Sequence, residues 1–514
     1  MNYQTSAEQK VSFRYESIDS IFAILTVVVG FFFSKALPVD KNPLGTLIMI
    51  FILFTVGTVY LKLSHKQIKI KSWIFTALTL VLSSGLITTS NKTLKGFLFL
   101  FILCCFLYWV YTAFGLSKIL GNMSAVHILK AIFYVPVSYI GNVFPAMFAK
   151  RGGENSEKAR KNFLYVLIGL AITIIPTSLV VSLLSFDSGF VSILQSIIKF
   201  DIEDVIYFIG DLILGVFFAM ILFGSLFGSK ETSVNNKTVG DREKISFNLV
   251  PKTIICTAVT PILLLYVIFF ISQWDYYVSA FTKVLPENLS YSEYAREGFF
   301  QLCFICAFNA FVLLMFHVLV KTNGKKYDAV KMIYSSLISI FTLVLVATAL
   351  SKMLLYIDSY GLTRLRVYSS WMIILLGVFF VITLIYQFIP KLPIISSLVI
   401  TFVIFFGLLT IPDVDAVIAN YNVNAYLDGR HNSIDVYTLE TYGTSAVPAL
   451  YELKDHFEND PDINNSEERT LKHINASLDV IKEQTESKNI FSFDIPKYKA
   501  KKLFKVHGDV DLNE

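Results

Sequence analysis

Eleven long apolar runs, separated by short polar stretches, fill the chain as far as Pro412, and none follows it. They lie near residues 18–36, 44–62, 72–89, 96–116, 163–184, 204–227, 253–273, 297–320, 328–355, 366–388 and 393–411. A helix of roughly 20 apolar residues matches the hydrocarbon core of a bilayer. The pattern predicts an all-α, polytopic transmembrane helix bundle over 1–412. Residues 413–514 are expected to form a small soluble α-helical domain.

Composition agrees with that division. Charged residues are only 16% of the chain and mean hydropathy is +0.61, whereas a soluble globular domain carries about 25% charged residues. The net charge of +5 is spread over short loops, and no basic block or groove signature for nucleic acid is present. The five cysteines all fall in apolar runs, so no disulfide framework is expected. Cys303 and Cys306 have C-x-x-C spacing without a His or second cysteine pair beside them, and they read as packing residues rather than metal ligands. Ser34-Lys35-Ala36 has the small-x-small form of a signal-peptidase site. The long leading segment with Glu8, Glu16 and Asp19 favours an uncleaved anchor.

Basic residues orient the bundle. With the N-terminus in the cytoplasm, inside segments hold 23 of the Lys and Arg residues, outside loops 10 and the tail 11. An odd span count then puts the tail outside, in an extracytoplasmic position. Segment 125–148 is apolar but broken by Pro136, Gly141 and Pro145. Crossing would move Lys150, Arg151, Lys158, Arg160 and Lys161 outside, against the rule. It therefore reads as an interfacial or re-entrant segment on the cytoplasmic face.

Asp211 is the sharpest single residue in the apolar part. Ionisable groups at membrane depth usually face the bundle interior, and Asp211, Gly215 and Ala219 share one helical stripe. Gly215 and Ala219 form a small-xxx-small pair that admits a close neighbour. Asp211 reads either as an ion or proton site or as a paired structural carboxylate. Asn309, mid-span, suits interhelical hydrogen bonding, and His317 suits an interfacial position.

Two outer elements are richer. Ser290 and Glu293 have capping-box spacing, followed by Arg296 and Glu297 among the aromatics Tyr291, Tyr294, Phe299 and Phe300. In 351–367, Gly361 fits the left-handed residue that ends a helix and Thr363 the N-cap of the next. A helix from 328 to 360 is about 50 Å long at 1.5 Å per residue, so the hairpin tip should stand clear of the membrane. It carries Lys352, Asp358, Arg364 and Arg366, and the two arginines are expected to pair with Glu293 or Glu297. A ligand or lipid-headgroup site built from the same groups is the alternative.

The runs SYSEYAREGFFQL (290–302) and YIDSYGLTRLRV (356–367), with IANYNVNAYL (418–427) and IDVYTLETYGTSAVPAL (434–450), resemble a bacterial membrane family, domain of unknown function 4173, which is related to family 4153. The similarity runs from about Pro251 to Lys505, and earlier spans match only in hydrophobicity. The resemblance implies an integral membrane protein of bacteria, and the expected location is the bacterial cytoplasmic (inner) membrane. It implies no reaction, so no catalytic residue is carried over.

In the tail, 19 acidic and 11 basic residues accompany short helices. Val414, Val417, Ile418 and Tyr421 predict one apolar face. Pro448 suits a first helical turn, and Leu471, Ile474, Leu478 and Ile481 repeat at helical spacing. PKYKAKKLFK (496–505) offers five lysines for lipid headgroups. So small a tail builds a small core and is expected to dock on the hairpin tip at 358–366.

No catalytic constellation, metal cluster or cofactor motif stands out. The leading expectation is a non-enzymatic envelope protein whose bundle positions an extracytoplasmic module for a protein or lipid-headgroup partner. A transporter or lipid-handling protein with a polar cavity near Asp211 is the alternative. A membrane enzyme on lipid-linked substrates, using Glu293, Glu297 and Asp358, is third. The lipid bilayer is a partner in every case.

Overall fold

A computed structural model describes residues 15–121, 124–149, 169, 176, 180, 183–184, 202–238, 251–272, 299–319, 329–389, 391–461, 465–485 and 489–508. All regular structure among them is helical. The apolar part comprises α1 (Ser17–Ala36), α2 (Pro43–Leu63), α3 (Ile70–Ser83), α4 (Lys92–Ala113), α5 (Ile202–Thr238), α6 (Lys252–Ser272), α7 (Phe299–Leu319), α8 (Ala329–Tyr360), α9 (Arg364–Phe388) and α10 (Ile394–Thr410). After Pro412 come α11 (Val414–Leu427), α12 (Val436–Glu440), α13 (Val447–Glu458), α14 (Asn465–Thr485) and α15 (Ile495–Val506).

Seven described helices are long and apolar enough to cross a membrane, or nine if two bent pairs each count as one span. The expected total of eleven is therefore not reached among the described residues. The run at 163–184 lies almost wholly outside them. Those at 253–273 and 297–320 form helices whose apolar stretches, Cys256–Ser272 and Gln301–Phe316, are shorter than the rest. Segment 124–148 is bent by 45° between Ala125–Ser138 and Ile140–Phe148. Its two arms pack on Tyr108 and Tyr111 and on Ala23, Phe223 and Phe227. Tyr15 donates to Asn142 at 2.9 Å, so the bend sits beside the start of α1.

The apolar helices form two groups. Helices α1–α5 and α10 share one core, in which Tyr60, Phe106, Trp109 and Phe114 are fully buried. Helices α6–α9 share smaller clusters, around Leu302, Cys306 and Val346 and around Val259, Phe316 and Phe380. Polar pins hold both groups. Lys230 on α5 meets both oxygens of the fully buried Asp19 on α1 at 2.9 and 3.0 Å, and Tyr60 on α2 donates to Asp19 at 2.7 Å. Asn309 on α7 accepts from Tyr266 at 2.7 Å and donates to Thr342 on α8 at 2.9 Å.

Helix α8 runs unbroken to Tyr360, and Gly361 then takes a left-handed φ of +75°, which costs glycine little. Thr363 caps α9 by accepting from the Arg366 amide. Helices α11–α15 pack on the same end of the bundle as this turn. Their core of Ile418, Leu439, Leu450, Leu478 and Phe504 is continuous with Leu94 of α4 and Leu409 of α10. The buried stripe of α11 is Val414, Asp415, Ile418, Ala419 and Val423, while Val417 is 55% exposed. This corrects the face read from apolar spacing. The helix is rotated to bury a carboxylate, because that carboxylate has a cation waiting in the bundle.

Candidate functional site

The cation is Arg364. Its Nε and Nη2 donate to Oδ1 and Oδ2 of Asp415, both at 2.8 Å, and Nη2 also donates to the Thr441 carbonyl at 3.0 Å. Parallel N–H bonds to one carboxylate are among the stronger hydrogen bonds a protein makes. Asn91, the N-cap of α4, accepts from the Leu94 amide and turns its amide to both Asp415 oxygens at 3.1 and 3.2 Å. The guanidinium lies 4.8 Å from the ring centre of Tyr442, whose phenol burial pushes up to about 12. One ion pair thus joins α4, α9, α11 and the turn after α12.

A second pair works nearby. Lys95, in the first turn of α4, meets Asp494 at 2.9 Å, with side chains 2% and 10% exposed. Asp494 also caps α15 through the Lys497 amide. Asn422 clamps the hairpin turn, accepting from the Leu362 amide and donating to the Leu362 carbonyl, both at 2.8 Å. Asp413 accepts from Ser445 at 2.7 and 2.9 Å. Burial raises its carboxyl to about 6, with Asp415 and Asp494 adding to the rise and hydrogen bonds from Ser445 and Ala416 opposing it.

Between these braces lies a polar cleft of about 1030 Å³. The bundle supplies one wall, with Asp40 and Lys41 from the loop before α2 and Lys92 and Lys95 from the first turn of α4. The tail supplies the other, with Tyr437, Glu440, Thr444, Gln484, Ser492 and Lys497. The cleft is lined by cations, by the carboxylates of Asp40, Glu440 and Asp494, and by hydroxyls and amides. No group of three or more metal-ligating side chains occurs among the described residues.

The expected site residues are only partly gathered here. Arg364 lines the cleft. It pairs with Asp415, while the expected partners Glu293 and Glu297 lie outside the described residues together with Arg296. Arg366 turns inward on the hairpin, donating to the Tyr360 carbonyl at 2.8 Å and stacking 3.9 Å over Tyr356. Asp358 sits on the last turn of α8. Asp211 is 3.9 Å from Lys35, both partly exposed, and does not line the cleft. Asn309 is buried and hydrogen-bonded between α6, α7 and α8.

The residues that sequence reasoning passed over are Asn91, Lys95, Asp415 and Asp494. A weak signal existed: Lys95 and Asp415 interrupt otherwise apolar positions, next to helix starts marked by Asn91 and Asp413.

A family model described as a domain of unknown function, DUF4153, matches residues 48–453. No curated protein and no solved structure matches the chain. The match starts inside α2, so the kinship reaches well before Pro251, and it points to 4153 where the motifs had suggested 4173. It crosses Pro412 and takes in both partners of the Arg364–Asp415 pair. With most of its length so covered, the chain belongs to the DUF4153 family.

Proposed function

We propose that the protein is a non-enzymatic membrane protein of the cell envelope, whose helix bundle holds the post-412 helices as a fixed module and receives a partner in the cleft between them. Helices α11–α15 stand on the extracytoplasmic side, and the N-terminus and the turn at 64–69 on the cytoplasmic side, as the basic-residue bias favours. The carrying observation is that both cleft walls are tied across the chain break by the pairs Arg364–Asp415 and Lys95–Asp494. A module free to swing would need neither. Chemistry requires converging acid, base or nucleophile groups, and the cleft carboxylates Asp494, Asp40 and Glu440 are engaged by Lys95, Lys92 and Ser477, which favours a binding role. The carrier reading draws no support from Asp211, which meets Lys35 at the rim of the α1–α5 contact.

The test uses the full chain in cells. A photo-crosslinking residue replacing the exposed Tyr437 at the cleft rim should give a discrete adduct, and one replacing the exposed Asp428 should not. Identical patterns at both positions would refute the cleft as the receiving surface. In a cysteine-free background, Tyr437→Cys should react with an impermeant maleimide in intact cells, and Gln67→Cys only after permeabilisation. The reverse order would refute the orientation.

A further inference from the structure

The turn at 490–493 carries an apolar surface that the tail does not cover. Ile490 is 78% exposed, Phe491 53%, Phe493 39%, and Tyr498 on α15 60%. This cluster is not at the far end of the tail. Asn489 donates to Asn42 at 3.2 Å, just ahead of α2. A Cβ placed on Gly45 would lie 3.4 Å from that of Phe491. The turn therefore stands beside the first turn of an apolar helix, at the level where a bilayer's headgroups begin. Gly45, Ile48 and Ile52 share one face of α2, and Ile48 and Ile52 are exposed, so the lipid-facing side of α2 continues onto the turn. Aromatic and aliphatic side chains flanked by lysines suit this interface, and Lys499, Lys502 and Lys505 on α15 are exposed.

The same turn has a second face. Asn489 and Ser492, alternating with the apolar residues, line the cleft. The cleft's carboxylates are largely spoken for: Asp494 by Lys95, Asp40 by Lys92 at 3.8 Å, and Glu440 by Ser477 at 2.8 Å. Lys41 and Lys497 are left with no carboxylate at ion-pair distance among the described residues. Burial holds the Lys497 amine below the usual lysine range, Lys501 and Lys95 adding to this and Asp494 opposing it, so an incoming anion would relieve it. The N-termini of α4 and α15 also lie at the cleft, already capped by Asn91 and Asp494, so the lysines supply the positive charge. A volume of about 1030 Å³ exceeds what a single phosphate fills, and Thr93, Thr444 and Gln484 offer further hydrogen bonds.

We propose that the cleft takes the phosphate-bearing headgroup of a membrane lipid, entering sideways past Ser492 while its chains rest on Ile490, Phe491, Phe493 and the exposed face of α2. This rests on the cleft being the receiving surface, and it names the ligand's chemistry.

The test titrates the purified full-length protein in detergent with dihexanoyl phosphatidylglycerol, dihexanoylglycerol and inorganic phosphate. The phospholipid should bind, and the neutral glyceride should bind about tenfold or more weakly, as should the phospholipid to Lys41→Ser or Lys497→Ser, since each loses a charge-assisted contact. Phe491→Ser should weaken the phospholipid and leave inorganic phosphate unchanged. Inorganic phosphate binding as tightly as the lipid, with no effect of Phe491→Ser, would make the ligand a free anion and overturn the lipid assignment. Equal binding of the neutral glyceride, or indifference to both lysine variants, would overturn the phosphate assignment. Lys41 lies in an exposed loop, so its variant separates binding from folding. Lost lipid binding with an intact Tyr437 adduct would remove this inference alone and leave the receiving cleft standing.

Discussion

Arg364 and Asp415 meet through two parallel 2.8 Å hydrogen bonds, although the start of α9 carries the first and the helix after Pro412 the second. Asp415 is fully buried. Removing one partner of such a pair leaves an uncompensated buried group, which costs about 3–5 kcal/mol. Arg364→Ala and Asp415→Asn should therefore lower the melting temperature of the full protein in detergent and expose 413–508 to protease. Arg364→Lys should fall between them and wild type, because an ammonium cannot reproduce the planar fork. An unchanged protease pattern in Asp415→Asn would show that the apolar contacts alone hold the module.

Lys95 and Asp494 allow a sharper separation. Each single truncation, Lys95→Met or Asp494→Leu, should be destabilising by roughly 3–5 kcal/mol. The double variant replaces a buried ion pair by apolar volume, which is often neutral. Melting of the four proteins of this cycle should show the double variant closer to wild type than either single one. Strict additivity would mean that the two side chains act independently, against their 2.9 Å separation.

How much of this was open to a sequence reader depends on which physics each residue obeys. The helical hairpin was legible: Gly361 and Thr363 announce their own backbone geometry, and the long α8 follows from apolar periodicity. The close helix contact at Gly215 was legible too, since small residues four apart have few other uses in an apolar helix. The partner of Arg364 was not. A charge pair is set by which surfaces meet after folding, and residues 51 positions apart carry no local trace of that meeting. The stripe on α11 misled for the same reason. Val417 fits an apolar period, but the helix turned to bury Asp415 instead. The cleft was invisible because loop 40–42, the α4 start and the tail turns share no motif, only an address in space.

Asp413 predicts a pH dependence. Burial raises its carboxyl to about 6 in the folded protein, from 3.8 when exposed. As pH rises through that window the unfolded chain releases the proton first, so stability present below pH 4 is lost towards pH 6 and stays lost above it. The raised carboxyl corresponds to on the order of 3 kcal/mol, less whatever residual solvent contact screens. Asp413→Asn keeps an acceptor for the Ala416 amide and for Ser445, and should flatten the melting curve between pH 4 and 7 while raising it at pH 8. A wild-type melting temperature that climbs across this window would contradict the raised carboxyl.

Gly215 and Asp211 sit one turn apart on α5, and their variants should behave oppositely. A Cβ on Gly215 would come within 2.7 Å of the Phe31 Cα, and one on Gly30 within 3.1 Å of the Ala219 nitrogen. Backbone stands in the way, so neither can be relieved by a rotamer change. Gly215→Ala and Gly30→Ala should force α1 and α5 apart and cost about 1–3 kcal/mol, read as lower melting temperatures. Asp211→Asn gives up only a 3.9 Å ion pair with half-exposed Lys35, a contact worth about 0–1 kcal/mol, and should melt as wild type does. If Asp211→Asn left stability untouched but abolished a solute flux in reconstituted vesicles, the carboxylate would act in transport. If instead both glycine variants were silent, the close packing of α1 on α5 would be wrong.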